Sequence, residues 1–288
     1  MDKNPFIAVI GGSGLYNMTT LEDVETIDVD TPFGKPSAPI TIGTIFDKPM
    51  AFLARHGIGH HISPSEINYR ANIHALKSLG VKQVVSVSAC GSLREEYEPG
   101  HIVIPDDIFD FTRGKRVLSF FDKGVVAHIG AAEPYCETLS SRLYEAVKKT
   151  GVTVHRGGTF ITIEGSRFST RAESNLFRSW GMSIIGMTAS PEAFLAREAE
   201  LCYATMAHVT DYDVWHSSEE PVSVEMVIRI LHQNTAYAQQ AIEILAETLE
   251  EDHTCAGILQ NVILTSTDHM NPETRKKLGL LIDKYLNP

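Results

Sequence analysis

Short, wholly apolar runs alternate with amphipathic stretches from one end of the chain to the other. Residues 6–10 (FIAVI) stop at Gly11-Gly12-Ser13-Gly14, which predicts a buried strand closed by a glycine turn. Residues 24–30 and 38–53 alternate between Pro and Gly breaks and predict two or three more strands. Ser63-Pro64-Ser65-Glu66 combines a capping hydroxyl, a proline suited to a first turn and a glutamate three residues on. It predicts a helix running to about Leu79 and ending at Gly80. Residues 84–88 predict a buried strand that ends in Ala89-Cys90-Gly91-Ser92, and 102–104 a short one. Residues 109–125, rich in Arg, Lys, Gly and Phe with no period, predict a long functional loop.

The second half continues the pattern. A helix over 138–149 is closed by Gly151, a β-rich run over 158–163 breaks at Glu164-Gly165, and a helix over 169–180 ends at Gly181. A strand over 183–187 precedes a helix capped by Ser190-Pro191-Glu192 and reaching about Leu201, and the run 202–209 is a strand. From Ser223, the apolar positions Val227, Leu231, Ala238, Ile242, Leu245 and Leu249 fall at three- and four-residue spacing, the stripe of the longest helix. The tail beyond Cys255 is weakly patterned until a short helix near 272–285. Strands alternate with helices without a repeat or linker. The expected architecture is one α/β domain over 1–288, with a mixed, mostly parallel central sheet flanked by helices.

Composition narrows the class of function. With 288 residues, 43% of them hydrophobic, the chain can bury a sizeable core. Its net charge of -11, without a basic stripe, argues against nucleic acid as a partner. The four cysteines, Cys90, Cys136, Cys202 and Cys255, lie far apart with no C-x-x-C spacing. They read as small buried hydrophobes in a reducing compartment, neither a disulfide frame nor a zinc site. No stretch resembles a secretory leader or a membrane span, so a cytoplasmic protein without membrane contact is expected.

The candidate chemistry gathers at strand ends, where ligands of open α/β sheets bind. Thr210-Asp211-Tyr212-Asp213 ends the 202–209 strand with two carboxyls able to accept from an amino group or deliver a proton. Arg55-His56 follows the apolar strand 50–54, and a guanidinium fork suits phosphate. His56, His60 and His61 lack the H-E-x-x-H pattern and an acid at ligand spacing, which argues against a metal. Ser13, Ser88, the Ala89 amide and Thr188 offer further donors to an anion. Phe168 could stack on a planar base and Met187 lie against a sugar, although each is equally at home in a core. Cys90 has no histidine partner at a defined spacing and reads as a buried thiol. Together these residues describe a site for an anion beside a polar planar group.

Longer stretches carry a resemblance. They are IGGSGLY (10–16), ARHG (54–57), PSEINYRANI (64–73), SACGSLREE (88–96), TIEGSRFSTRAES (162–174), GMTASPEAFLAREAELCYA (186–204) and TDYDVW (210–215). In these the chain resembles the trimeric purine nucleoside phosphorylase family over residues 6 to about 250, the part beyond Asp252 matching poorly. The resemblance implies phosphorolysis without a cofactor. Inorganic phosphate, the co-substrate, attacks the anomeric carbon through an oxocarbenium-like transition state and a purine leaves. It further implies a homotrimer. Ser13, Arg55, His56, Ser88, Ala89 and Thr188 would hold phosphate, Met187 would face the ribose, Phe168 and Ser169 the base, and Asp211 and Asp213 would serve the departing purine.

Three positions bear on the substrate. By resemblance, 6-oxopurine relatives carry Asn at Asp211 and Glu at Ser169. A carboxylate suits a 6-amino group and a hydroxyl can donate to the unprotonated ring nitrogen of adenine. Val224 and Val227 resemble the residues that receive a 5′-methylthio group, and His128 the one a neighbouring subunit adds over that pocket. The expected substrate is therefore 5′-methylthioadenosine. A phosphorylase for 6-oxopurine nucleosides or 5′-methylthioinosine and a non-catalytic purine-binding module are the rivals. A NAD-dependent oxidoreductase would need the G-x-G-x-x-G fingerprint, which the chain lacks. Ser13 and Ser88 stand where close relatives often have Thr, and Ser166 where Pro is common.

Overall fold

The computed structural model describes residues 4–286 apart from 13, 16, 17 and 217–222, and leaves out the side chains at 226 and 231–233. Ser13, a candidate phosphate ligand, therefore lies outside the described residues. Among the described residues eleven strands form one sheet. They are β1 (Ile7–Gly11), β2 (Glu22–Ile27), β3 (Ile40–Ile45), β4 (Lys48–Ala54), β5 (Gln83–Ser92), β6 (Ile102–Ile104), β7 (Asp107–Phe111), β8 (Val154–Arg156), β9 (Thr159–Ile163), β10 (Ile184–Gly186) and β11 (Cys202–Asp211). Six helices pack around it: α1 (Tyr69–Ser78), α2 (Glu137–Lys149), α3 (Arg171–Ser179), α4 (Ala189–Glu198), α5 (Val224–Glu247) and α6 (Pro272–Leu286).

The central strands are apolar throughout because both sheet faces are covered. Along β1, Ala8 and Ile10 join a core with Ile73 and Leu76 of α1, Leu195 of α4 and Leu281 of α6. Ile7 and Val9 face the other way, toward Leu143 of α2 and Ile242 and Leu245 of α5. Of the predicted stripe, Ala238, Ile242 and Leu245 lie on the buried face of α5, Val227 is half-buried, and the Leu231 side chain lies outside the described ones. Parallel pairing dominates the middle, β4-β1-β5-β11, and antiparallel pairing joins β2 to β3, β3 to β4, β10 to β5 and β6 to β11.

Several boundaries differ from expectation for local reasons. Ser63 and Glu66 do form their reciprocal contact, Glu66 Oε2 accepting from the Ser63 amide and hydroxyl, but it closes a turn. The helix starts at Tyr69, capped by the Asn68 side chain, which accepts from the Ala71 amide. The predicted loop 109–125 gives its first three residues to β7, which pairs with β9. Strand β5 does not stop at Ser88. It runs on to Ser92, paired with β1 up to Ser86 and with β10 from Gly91. Between those two residues one edge of β5 has no strand beside it. That gap is the switch point of the sheet, the place where an α/β fold opens a crevice for a ligand. Among the described residues no helix is long and apolar enough to cross a membrane.

Candidate active site

One wall of the crevice is made by the end of β11. A register shift between Val209 and Asp211 takes up Thr210, so that Asp211 comes level with Gly91 of β5. The Asp211 carboxyl is only 5% exposed. Its Oδ2 lies 2.6 Å from the Thr210 hydroxyl, and its Oδ1 accepts from the Asp213 amide at 2.7 Å. Burial lifts its pKa to about 6, against the lowering effect of those two bonds, and the Asp213 charge adds to the rise. Asp213, with φ of 52°, is buried too and its carboxyl is also raised, first by desolvation. The segment is pinned behind by Trp215, whose indole donates to Ser92 O at 2.7 Å and carries the Arg178 guanidinium on its ring.

Around Asp213 stand buried polar groups that face one another without reaching full hydrogen-bond geometry. The hydroxyls of Ser169 and Ser174 face its carboxyl and act to lower its pKa. Yet Asp213 Oδ2, Ser169 Oγ and Ser174 Oγ are all buried without a hydrogen-bond partner. Each unsatisfied buried group costs about 1–3 kcal/mol. Three in one place give the crevice both donors and an acceptor for a polar ligand. Ser169 was among the predicted residues; Ser174, on the buried side of α3, was not.

The opposite wall lies in the gap along β5. Arg55, Ser86, Ser88 and Thr188 form a chain there. Arg55 Nη2 donates to Ser86 Oγ at 2.6 Å, Ser86 and Ser88 hydroxyls are 3.5 Å apart, and Ser88 and Thr188 hydroxyls 3.2 Å apart. Thr188 precedes α4 but makes no capping bond, which leaves its hydroxyl turned to Ser88. Ala89 sits inside the unpaired stretch of β5. Alternation along a strand puts its peptide on the same edge as Val87, whose carbonyl accepts from Arg55 Nη1 at 2.9 Å.

Two expectations for this wall change. The Arg55 fork is not open to phosphate, because Glu192 already fills it: Nε and Nη2 donate to its two oxygens at 2.7 and 2.8 Å. Both side chains are buried, and Tyr203 gives Glu192 a further hydrogen bond at 2.8 Å. Burial works to discharge Arg55, but the Glu192 carboxylate more than offsets it and the guanidinium pKa stands above its ordinary value. With Nη2 also facing Ile10 O, one N–H on Nη1 remains for an anion. Glu192, expected only as a helix-capping residue, is thus the partner that fixes Arg55. His56 is changed as well. Burial, and then the Arg55 charge, bring its pKa down to about 4. Its Nδ1 lies 2.9 Å from Ile62 O, which can only accept, so Nδ1 carries the proton and Nε2 offers a lone pair. A neutral His56 accepts a hydrogen bond at Nε2 from a protonated phosphate oxygen; it does not donate to a bare one.

Met187 is half-buried beside the Gly165 backbone, where an added Cβ would come 3.0 Å from its sulfur. Arg116, from the 109–125 segment, secures it by donating to Met187 O at 2.6 Å and Ser190 O at 2.7 Å, with Glu164 as its charge partner. Phe168 is 39% exposed and free to stack. The remaining candidates stand apart. Val224, at the first turn of α5, is 57% exposed and Val227 half-buried. His128 is exposed on a segment joined to 262–263 by backbone pairing. A separate cavity of about 400 Å³ is lined by Arg113, Lys115, Glu164, Ser166 and Arg167, and takes in neither Asp211 nor Thr188.

A sequence profile of the phosphorylase superfamily matches residues 6–249. The chain belongs to the phosphorylase superfamily. Within that superfamily it is 52% identical to the S-methyl-5′-thioadenosine phosphorylase of Geobacter sulfurreducens over 282 residues, 97% of this chain and 99% of the relative. It is 47% identical to the enzyme of that name from Koribacter versatilis over 97% of this chain and 96% of the relative. The segment beyond Asp252, set apart by the motifs, falls largely inside these alignments. Among solved structures, a methylthioadenosine phosphorylase from an antarctic soil metagenomic library superposes with a TM-score of 0.92 at 43% identity, covering 97% of this chain and 99% of that one. The methylthioadenosine phosphorylase of Schistosoma mansoni in complex with adenine gives 0.84 at 36% identity over 89% and 98%.

Proposed function

We propose that this phosphorylase cleaves 5′-methylthioadenosine with inorganic phosphate, releasing adenine and 5-methylthioribose 1-phosphate. What supports the reading is that β5 carries both groups: Gly91 beside the buried Asp211 carboxyl of raised pKa, and Ser88, three residues earlier, in the row of hydroxyls with Ser86 and Thr188. Phosphate would rest on Ser88, Thr188, the Ala89 amide, His56, the remaining Arg55 N–H and Ser13. From there one phosphate oxygen forms the bond to the anomeric carbon while the bond from that carbon to the purine nitrogen breaks. The pair of electrons passes into the base. Phosphate is also the charge that stabilises the cationic sugar of the transition state.

Asp211, titrating near 6, is close enough to neutral pH to hand its proton to the ring as the purine departs. Asp213 Oδ2 accepts from the exocyclic amine, and the Ser169 hydroxyl donates to an unprotonated ring nitrogen. Both atoms lack other partners. Phe168 stacks on the base and Met187 packs on the ribose. A 6-oxopurine offers an oxygen where Asp213 needs a donor, which disfavours it by about 1–3 kcal/mol at that contact alone.

In this reading Val224 and Val227 receive the methylthio group, and a second copy of the chain in a homotrimer lays His128 over the same pocket. Their exposure in the isolated chain is consistent with a pocket completed by another subunit. The role is salvage of the purine and the methylthio sugar in the cytoplasm, with no cofactor. The test is base release from 5′-methylthioadenosine, adenosine and inosine with and without phosphate. Release from 5′-methylthioadenosine that requires phosphate supports the reading. Release that ignores phosphate indicates a hydrolase, and preference for inosine overturns the assignment of the base.

A further inference from the structure

Away from the crevice, three cysteines that are remote in sequence come together. Cys136 caps α2, Cys202 opens β11 and Cys255 lies in the segment after α5. Their sulfurs all lie within 4.8 Å of one another, and all three residues are buried and free. The Thr254 hydroxyl joins them, 3.3 Å from Cys136 Sγ and 3.5 Å from Cys202 Sγ. The cysteines are buried, as expected; what the chain spacing did not reveal is that three of them share one place.

The frame around them is rigid. The Cys136 amide donates to Tyr203 O at 2.8 Å, and the Cys202 amide to Lys82 O at 2.9 Å. His253 Nε2 contacts Glu200 O, which fixes the approach of the third segment. Cys136 stands at the N-terminus of α2. A helix N-terminus is a place where thiolate is favoured.

We propose that Cys136, Cys202 and Cys255 form a three-thiolate site for one thiophilic cation of the zinc class, with the Thr254 hydroxyl or a water as fourth ligand. Around a tetrahedral ion with metal–sulfur bonds of about 2.3 Å, sulfurs stand roughly 3.8 Å apart. The three sulfurs, within 4.8 Å of one another, already stand near that separation. Each thiol that binds gives up its proton to solvent, and the cation takes the electron pair. The ion would tie the segment beyond α5 to the starts of α2 and β11, a staple for the fold that lies outside the reaction.

The experiment uses the full chain, reduced and stripped with a chelator, then dialysed against Zn²⁺ or Co²⁺ alone. The expected result is one Zn²⁺ per chain, a rise in melting temperature, and a Co²⁺ spectrum with thiolate-to-metal charge-transfer bands and tetrahedral d–d bands. Cys255→Ser should weaken Zn²⁺ binding roughly tenfold or more, while Cys90→Ser leaves it unchanged. The Co²⁺ spectrum of the unaltered chain decides the matter even if a variant fails to fold. Charge-transfer bands that are absent, Zn²⁺ retention indifferent to Cys255→Ser, or a disulfide within the trio in the purified protein would each overturn the proposal.

Discussion

Gly91 lies opposite Asp211 across β5 and β11, and a Cβ on Gly91 would stand 2.9 Å from Asp211 Oδ1 and 3.1 Å from Ile185 Cγ2. The carboxyl therefore rests against bare backbone. Gly91→Ala should displace it, with a stability loss of about 1–3 kcal/mol from overpacking. Turnover should fall by more than the melting temperature alone explains. Steady-state kinetics beside a thermal melt checks this, and wild-type turnover in the variant would mean that the carboxyl has room to spare.

Asp211 gives a pH signature. Its carboxyl titrates near 6 when folded and near 3.8 otherwise. Between those values the folded chain binds the proton more tightly than the unfolded chain does. Stability from this group is therefore fully present below about pH 4 and is lost as pH rises through 6, by roughly 3 kcal/mol at most. Asp211→Asn removes that loss, so its denaturant stability should gain on the wild type between pH 4 and 7. Its turnover should drop about 100-fold or more through loss of the proton donor. Parallel stability curves for the two proteins would refute a buried titrating carboxyl.

The Arg55–Glu192 pair should behave as a unit. Glu192→Gln leaves a buried guanidinium without its counter-charge, and breaking such a pair costs about 3–5 kcal/mol. The KM for phosphate should rise, because Arg55 no longer holds its remaining N–H toward the crevice, while the KM for the nucleoside changes little. Equal change in both would place the effect in general unfolding instead of in the anion wall.

Val224→His introduces a polar ring where the methylthio group is proposed to sit. Burial of one thiomethyl is worth about 1–2 kcal/mol. The ratio of kcat/KM for 5′-methylthioadenosine to that for adenosine should therefore fall roughly tenfold. An unchanged ratio would locate the 5′ pocket elsewhere.

The elements whose cues are local were legible in the sequence. Helix α2 ends at Lys149, with Gly151 at φ of 83° just beyond, and α3 is followed by Gly181 at 85°. Strand β11 is apolar because both faces are covered, and its acids follow where it ends. What the chain order could not reveal are relationships between distant segments. Ser63-Pro64-Ser65-Glu66 satisfies a capping rule, but Asn68 is better placed to bond the first free amides, and the helix starts there. Strand β5 reads as ending at Ser88 because its pattern loosens, yet the loosening marks a change of partner.

The site divides in the same way. Ser88, Thr188, Ser169 and the two aspartates could be suspected because polar residues at strand ends are conspicuous. Glu192 was hidden by its position at a helix start, where an acid has an ordinary explanation. Its one available signal was a carboxylate amid the small residues that let α4 pack on the sheet. Arg116 was hidden in an aperiodic loop, and the cysteine trio by spacings that suggested isolation.

Ser174 tests whether the unpartnered groups around Asp213 serve the substrate. Its hydroxyl is fully buried and faces the Asp213 carboxyl, whose pKa it lowers, without reaching full hydrogen-bond geometry. Removing an unsatisfied polar atom does not weaken a fold, so Ser174→Ala should melt at or slightly above the wild-type temperature. If the hydroxyl steadies Asp213 against the exocyclic amine, kcat/KM for the nucleoside should fall roughly tenfold, with the KM for phosphate unchanged. The two readouts move in opposite directions only if the serine works through Asp213. A stability loss with intact kinetics would make it a packing residue and leave the Asp213 carboxyl to be held by Ser169 alone.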